Sequence, residues 1–343
     1  MNTSGSMFKG KKILITGGTG SLGSALTRRL LTTDVETIRI FSRDEWKQTQ
    51  MEETFNDKRL RFLIGDVRDK DRLSRALENI DIVIHAAALK HVHVAEYNPI
   101  EAVKTNVNGA ANLIEACLDA NVETVIAIGT DKAVSPFNTY GATKFLMERL
   151  FISANFYKGN HNIRFTCVRY GNVLGSRGSI VPLFVNQIKE GKQITITDPT
   201  MTRFNISMDQ ALDLILRALK HKMGGVVFVP KLKAYKVGDI KDAITELLNN
   251  KTKVKKIPVR PGEKYHESLI SSDEIRNTYE TKEDYIIFDE TFAKHFPGYN
   301  NTHGIKKSNL KDRYSSDTTK LFTKEELKTI LIKEKLISNI EKN

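Results

Sequence analysis

The stretch ILITGGTGSLGSALTRRLL sets three glycines, Gly17, Gly20 and Gly23, between an apolar run of strand character and an amphipathic helix. Few patterns restrict a fold so much. A chain that leaves a strand, turns on glycine and enters a helix brings its backbone close to whatever lies beyond the strand. The first N–H groups of the helix point at the same place and favour an anion there. The pattern predicts the first βαβ unit of a nucleotide-binding α/β domain. Gly17, Thr19, Gly20, Ser21, Leu22 and Gly23 would form the loop around a pyrophosphate.

The rest of the first half keeps the same rhythm. KKILIT, TIRIF, RLRFLIG, DIVIHA, TVIAIG and IRFTCVRY read as strands. Between them SALTRRLLTT, DRLSRALEN, EAVKTNVNGAANLIEACLD and YGATKFLMERLFISANF carry apolar residues at helical spacing. The expected fold is α/β, a Rossmann-type doubly wound parallel sheet that binds ligands at the carboxyl ends of its strands. After about residue 172 the alternation loosens through GSRGSIVPLF, TDPTMTRF and IPVRPGEKYHE. The expected division is a nucleotide-binding domain over 8–172, whose sheet later segments can complete, and a smaller substrate-binding lobe, mainly 173–290. Residues 291–343 would form a C-terminal helical extension, with a charged amphipathic helix or two in Thr323–Lys342. MNTSGSM, with its second methionine at Met7, reads as an expression scar.

Composition narrows the function classes. A chain of 343 residues, 40% hydrophobic, has room for two packed cores. No apolar run reaches the roughly 18 residues of a membrane span, and no secretory segment is evident, so a cytoplasmic protein without a membrane is expected. Cys117 and Cys167 fall in a helix and a strand and read as reduced core residues. The net charge of +12 fits either nucleic acid or a small anionic ligand. The basic runs Lys251–Lys264 and Lys306–Lys320 carry no interleaved aromatics, which favours the small anion over nucleic acid. His91 and His93, two apart without cysteine or carboxylate partners, make a poor metal site, and none is expected.

The second strand ends in IFSRDE, placing Ser42 and Arg43 where a carboxylate would hold the ribose of NAD. A guanidinium beside a hydroxyl suits a 2′-phosphate and favours NADP, with Asp44 as a competitor for the same place. Asp66 and Val67 close the third strand, placed for the adenine. Ala86, Ala87 and Ala88 follow the fourth and let a cofactor lie against the backbone.

The segment TDKAVSPFNTYGATK holds the candidate chemistry. Tyr140 and Lys144, four apart, share one helix face. The lysine would stabilise a phenolate and hold the nicotinamide ribose, and Thr130 would hydrogen-bond the hydroxyl being oxidised. A tyrosine that ordinarily titrates near 10 needs such help to act as a base.

GGTGSLG, TDKAVSPFNTYGATK, RYGNVLGSRGS, TDPTMTRF and RPGEK together resemble the extended short-chain dehydrogenase/reductases of polysaccharide and flagellin-sugar biosynthesis. Within them they resemble the inverting UDP-N-acetylglucosamine 4,6-dehydratases, from about residue 8 to 290. The resemblance implies bound NADP, a UDP-N-acetylglucosamine substrate, a homo-oligomer, and catalytic roles for Asp131 and Lys132. Oxidation at C4 of the sugar acidifies C5–H, so a base and an acid can then eliminate water across C5 and C6. Lys132 would be the C5 base and Asp131 the C6 acid, each with its pKa moved toward neutrality. The resemblance also makes Asn172 a diphosphate ligand. Arg203 and Arg260 would be clamps, Glu263 would hold the nucleotide ribose, Thr197 and Met201 would line the uridine, and Lys90 would reach the sugar or its phosphates. Two alternatives share the fold and the Tyr/Lys pair: a nucleotide-sugar 4-epimerase and a dehydratase that retains configuration at C5. A catalytically silent NADP-binding scaffold is the alternative outside enzymes.

Overall fold

The computed structural model describes residues 7–176, 178–291 and 304–337. Six strands run parallel: β1 (Lys12–Thr16), β2 (Thr37–Ser42), β3 (Leu60–Ile64), β4 (Ile82–His85), β5 (Thr124–Ile128) and β6 (Arg164–Val168). Their order across the sheet is β3-β2-β1-β4-β5-β6. The winding direction reverses between β1 and β4, which opens a crevice at their carboxyl ends. β4 and β5 are buried along their whole length, as strands covered by helices on both faces must be.

The sheet does not stop at β6. Val226–Pro230 adds in parallel, and Asp284–Phe288, Thr278–Glu280 and Lys306–Lys307 follow antiparallel, giving ten strands. The second half of the chain thereby covers what would be an open edge at β6.

Two helical segments differ from the periodic reading. Glu45–Phe55 is a helix that apolar spacing does not reveal, because only Gln48 and Met51 are buried on it and Trp46 is 68% exposed. Its N-cap is Asp44, whose side chain accepts from Lys47 N at 3.1 Å. EAVKTNVNGAANLIEACLD is not one regular helix. Pro99–Ala102 passes into a π-helical stretch, Val103–Asn108, before Gly109–Asp119 resumes the ordinary winding. Thr105 and Asn106 are buried there, a local irregularity often tied to function.

A second core lies under the other lobe. It gathers Leu174, Val181, Phe184, Ile194, Met201, Tyr235 and Ile240 with Leu327 and Leu331 of the helix Lys324–Lys333. Around it run a small sheet of Ala234–Lys236, Thr202–Ile206 and Asn172–Val173 and a pair of Ile194–Ile196 with Val254–Lys256. The C-terminal segment also contributes short strands, Lys306–Lys307 and Tyr314–Ser315, so its described part is not purely helical. Residues 1–6 of the expected scar, and 292–303 and 338–343 of the expected extension, lie outside the described residues.

Arg169 ties distant parts of the chain together from within. It is 1% exposed, its Nε donates to Glu148 Oε2 at 3.1 Å, and its Nη2 donates to Glu274 Oε1 at 2.8 Å. Nη1 donates to the Leu269 carbonyl at 2.8 Å. Burial works against the guanidinium charge, but the two carboxylates outweigh it and hold the proton firmly.

Candidate active site

A cavity of about 1290 Å³ opens at the carboxyl ends of the strands, between the two lobes. That exceeds the roughly 300–1,000 Å³ of a site for one small ligand and leaves room for a cofactor and a substrate together. Gly17, Thr19, Gly20, Ser21, Leu22, Gly23, Ser42, Arg43, Asp66, Val67, Ala86, Ala87, Ala88 and Lys90 all line it. So do Thr130, Lys132, Tyr140, Lys144, Asn172, Thr197, Arg203, Arg260 and Glu263.

The glycine loop is built for an anion. Gly17 sits at φ +65°, and a Cβ there would lie 2.8 Å from the Ala87 backbone nitrogen. The helix Ser21–Leu31 starts at Gly20 with no side-chain cap and no acidic residue in its first turn. Its N-terminal dipole therefore faces the cavity without a competing carboxylate. A dinucleotide fits this cradle.

Beside it, Arg43 is within 3.7 Å of Asp66 Oδ2, and Arg68 pairs with the same carboxylate at 2.6 Å. Burial pushes Asp66 upward, but the hydrogen bonds and charge of Arg68 and Arg43 win and hold it below the usual carboxylate range. Asp44 is turned to its cap and to Lys47. The π-helical Asn106, missed from the sequence, fixes the wall opposite. Its Oδ1 accepts from Leu89 N at 2.8 Å, and its Nδ2 donates to Leu89 O and Thr143 Oγ1, each at 3.0 Å. A buried asparagine in an apolar helical pattern was the only signal for it.

The reactive helix begins at Asn138, whose Oδ1 accepts from Gly141 N at 2.7 Å while its Nδ2 donates to Gly262 O at 2.8 Å. One side chain thus caps the helix and pins the RPGEK loop above Tyr140. Burial raises the Tyr140 pKa and outweighs the opposing pull of Lys132 and of the Thr130 hydroxyl. Lys144 lines the same cavity. Its Nζ donates to Met147 Sδ at 2.9 Å, and burial lowers its pKa to about 8.

Three sequence expectations need correction here. Met201 is fully buried in the second core and does not line the cavity; its sulfur accepts from Thr197 Oγ1 at 3.3 Å. Asp131, also fully buried, is not among the residues that line the cavity, whereas its neighbours Thr130 and Lys132 are. Thr130 Oγ1 donates to Asp131 Oδ1 at 3.0 Å, as does Lys132 Nζ. Lys132 does not titrate low. Burial works to lower its pKa, but Asp131 and a second carboxylate, Glu267, outweigh this and hold it above the ordinary lysine value.

Glu267 had no signal in the sequence, since an isolated glutamate in YHESL matches no pattern. The fold brings its Oε1 to 3.3 Å from Lys132 Nζ, at the cavity wall. It is 3% exposed, and burial raises its pKa against the pull of Lys132. Asn172 Oδ1 accepts from the same ammonium at 3.4 Å. Arg203, buried, donates to the carbonyls of Thr202 and Tyr265 and pairs with Glu263 at 3.3 Å. Among the described residues no group of three metal-ligating side chains is assembled.

The family model for polysaccharide biosynthesis proteins matches residues 13–289. The chain belongs to this family. Within it, a Campylobacter jejuni protein named UDP-N-acetylglucosamine 4,6-dehydratase (inverting) is 46% identical, covering 93% of this chain and 96% of its own length. A Rickettsia rickettsii protein named UDP-glucose 4-epimerase is 42% identical over 95% and 96% of the two chains. A Methanocaldococcus jannaschii relative, named an uncharacterized membrane protein, is 45% identical over 94% and 96%. The X-ray structure of Pen from Bacillus thuringiensis superposes with a TM-score of 0.89 at 40% identity, covering 96% of this chain and 99% of that one. More distant solved structures share the fold, among them DesIV from Streptomyces venezuelae, which superposes with a TM-score of 0.69 at 22% identity. Among the described residues no helix is long and apolar enough to cross a membrane.

Proposed function

We propose that this chain is an NADP-dependent hydro-lyase that converts UDP-N-acetylglucosamine to a 4-keto-6-deoxy sugar with inversion at C5. One observation carries the reading. The cavity holds a hydride-transfer set, Thr130, Tyr140 and Lys144, and beside it a separate acid/base cluster of Lys132, Asp131 and Glu267. An epimerase uses only the first set. The named dehydratase relative supports the same choice, and the named epimerase relative makes the assay below necessary.

Gly17 to Gly23 would hold the pyrophosphate and Ser42 with Arg43 the 2′-phosphate, and the commitment of Asp44 to its helix cap supports NADP over NAD. Bound there, the nicotinamide would supply a reversible hydride acceptor, taking hydride from C4 and returning it to C6. Tyr140 would accept the C4 hydroxyl proton, with Thr130 orienting that hydroxyl. Lys132 would take the C5 proton, and a carboxyl of its cluster would protonate the oxygen leaving C6. Asn172, Arg203 and Arg260 would hold the diphosphate, with Lys90, Thr197 and Glu263 around the sugar and nucleoside. Burial of Met201 removes it from this set. The large exposed side chains Tyr97, Ile100, Phe137 and Leu146 support a homo-oligomer. The absence of a spanning helix among the described residues supports the cytoplasm.

The test is incubation with NADP and UDP-N-acetylglucosamine followed by mass spectrometry. Loss of one water is expected; an isomer of unchanged mass would sink the reading in favour of epimerisation. Proton NMR of product made in heavy water reports the configuration at C5. Lys132→Ala should bind NADP yet lose turnover, whereas a silent scaffold would have no turnover to lose.

A further inference from the structure

Arg260 and Glu263 sit on a segment with no helix or strand of its own. It runs between Val254–Lys256 and Ser268–Ile270, and Pro258, Val259, Arg260 and Pro261 are exposed. Its main chain closes one turn, with Glu263 N donating to the Arg260 carbonyl at 3.0 Å. A loop of this kind holds ligand residues in place only through outside contacts. One is the pair of Glu263 with Arg203 Nη2 at 3.3 Å.

Two further ties run to a single short stretch, residues 134–138, which leads from Lys132 into the helix Thr139–Tyr157. Asn138 Nδ2 donates to Gly262 O at 2.8 Å, and Lys264 Nζ donates to the Val134 carbonyl at 2.7 Å. The approach leaves no room for a side chain. Gly262 stands at φ +76°, and a Cβ there would lie 2.8 Å from the Asn138 Cβ. Between the two attachment points Ser135 adopts φ +44°, a conformation that a non-glycine residue keeps only where its surroundings fix it.

Asn138 is buried and does two things with two different atoms. Its Oδ1 caps the helix by accepting from Gly141 N at 2.7 Å, while its Nδ2 reaches the loop. The cap alone does not call for asparagine, since aspartate or serine serves about as well. The amide alone among these offers a charge-free acceptor to the helix together with a donor long enough to reach the loop.

We propose that Asn138 is a positioning residue for substrate binding: through Gly262 it holds Arg260 over the cavity in register with Tyr140. This rests on the nucleotide-sugar reading above. Arg260 would grip the diphosphate and Tyr140 would act at C4 of the sugar, so the two must stand a fixed length of substrate apart. One side chain, bonded to the helix of Tyr140 and to the loop of Arg260, sets that distance. Lys264 adds a second tie to the same stretch and opposes pivoting about the first.

The experiment titrates UDP calorimetrically into full-length NADP-loaded wild type, N138S, N138D, R260A and the double variant N138D/R260A. UDP carries the diphosphate without the sugar, so it reads the clamp and needs no turnover. N138S keeps a cap and loses the tie, one hydrogen bond, and should weaken UDP roughly three- to tenfold. N138D keeps the cap but turns a carboxylate oxygen toward the Gly262 carbonyl, and should weaken UDP at least tenfold. Both should bind NADP within twofold of wild type and unfold within about 2 °C of it, because the helix keeps its cap. R260A should cost at least tenfold in wild type but less than threefold in N138D, where the clamp is already out of place. N138D binding UDP within twofold of wild type overturns the proposal. So does an R260A penalty as large in N138D as in wild type, which would make the two residues independent. A wild type that does not bind UDP overturns the nucleotide-sugar reading and the proposal with it. One that binds UDP but yields only an isomer of unchanged mass overturns the dehydratase reading alone, and the titrations still decide the role of Asn138.

Discussion

Lys144 is the group whose replacement separates stability from activity most cleanly. Its side chain is 3% exposed, and burial brings its pKa down from 10.5 to about 8. At about 1.4 kcal/mol for each pH unit, holding this lysine charged in the folded, cofactor-free protein costs about 3 kcal/mol at pH 7. Lys144→Met removes the charge and keeps a flexible side chain of similar length beside Met147. The variant is expected to be more stable than wild type by up to this amount. With an unfolding entropy of roughly 0.7 kcal/mol/K for a chain of this length, that is about 4 °C in Tm. The sign follows from proton binding. Between about pH 8 and 10.5 the unfolded chain holds a proton that the folded one has released, so wild-type stability rises with pH across that window. The advantage of Lys144→Met should therefore be full at pH 7 and fade toward pH 10. Urea unfolding of cofactor-free protein at pH 7, 8.5 and 10 measures it, and turnover should fall at least 100-fold. A gain below about 1 kcal/mol at pH 7, or one that does not change with pH, would refute the reasoning.

Arg43→Ala should raise KM for NADP at least tenfold while leaving that for NAD within about threefold, read by steady-state kinetics with each cofactor. Arg169→Met leaves Glu148 and Glu274 without their shared cation, and unfolding should show a loss of roughly 3–5 kcal/mol. Met201→Ala should lower stability by about 2–5 kcal/mol with KM for the UDP-sugar within twofold, since its side chain packs in the core and not against the ligand.

The fold was legible because it is written in local periodicity. Strands β1 to β6 each carry a short β-branched run, and the glycine loop announces itself by position between strand and helix. Glu45–Phe55 escaped because a surface helix with two buried residues leaves no stripe to count. The π-helical Val103–Asn108 escaped for a related reason, since one extra residue per turn is invisible in an apolar pattern read at 3.6.

The site divides along the same line. Residues adjacent in sequence, such as Thr130, Asp131 and Lys132, or four apart on a helix, such as Tyr140 and Lys144, can be named from their spacing alone. Which of them touches the cavity cannot, because that depends on what packs behind each one. Only the tertiary structure buries Asp131 away from the cavity lining, sinks Met201 into the second core and leaves Lys144 against a thioether. It alone brings Glu267, distant in sequence, to the ammonium of Lys132. Local propensity and spacing decide the elements and the reactive pair. Charge states are decided by burial and by partners distant in sequence, and those exist only once the lobes have closed on one another.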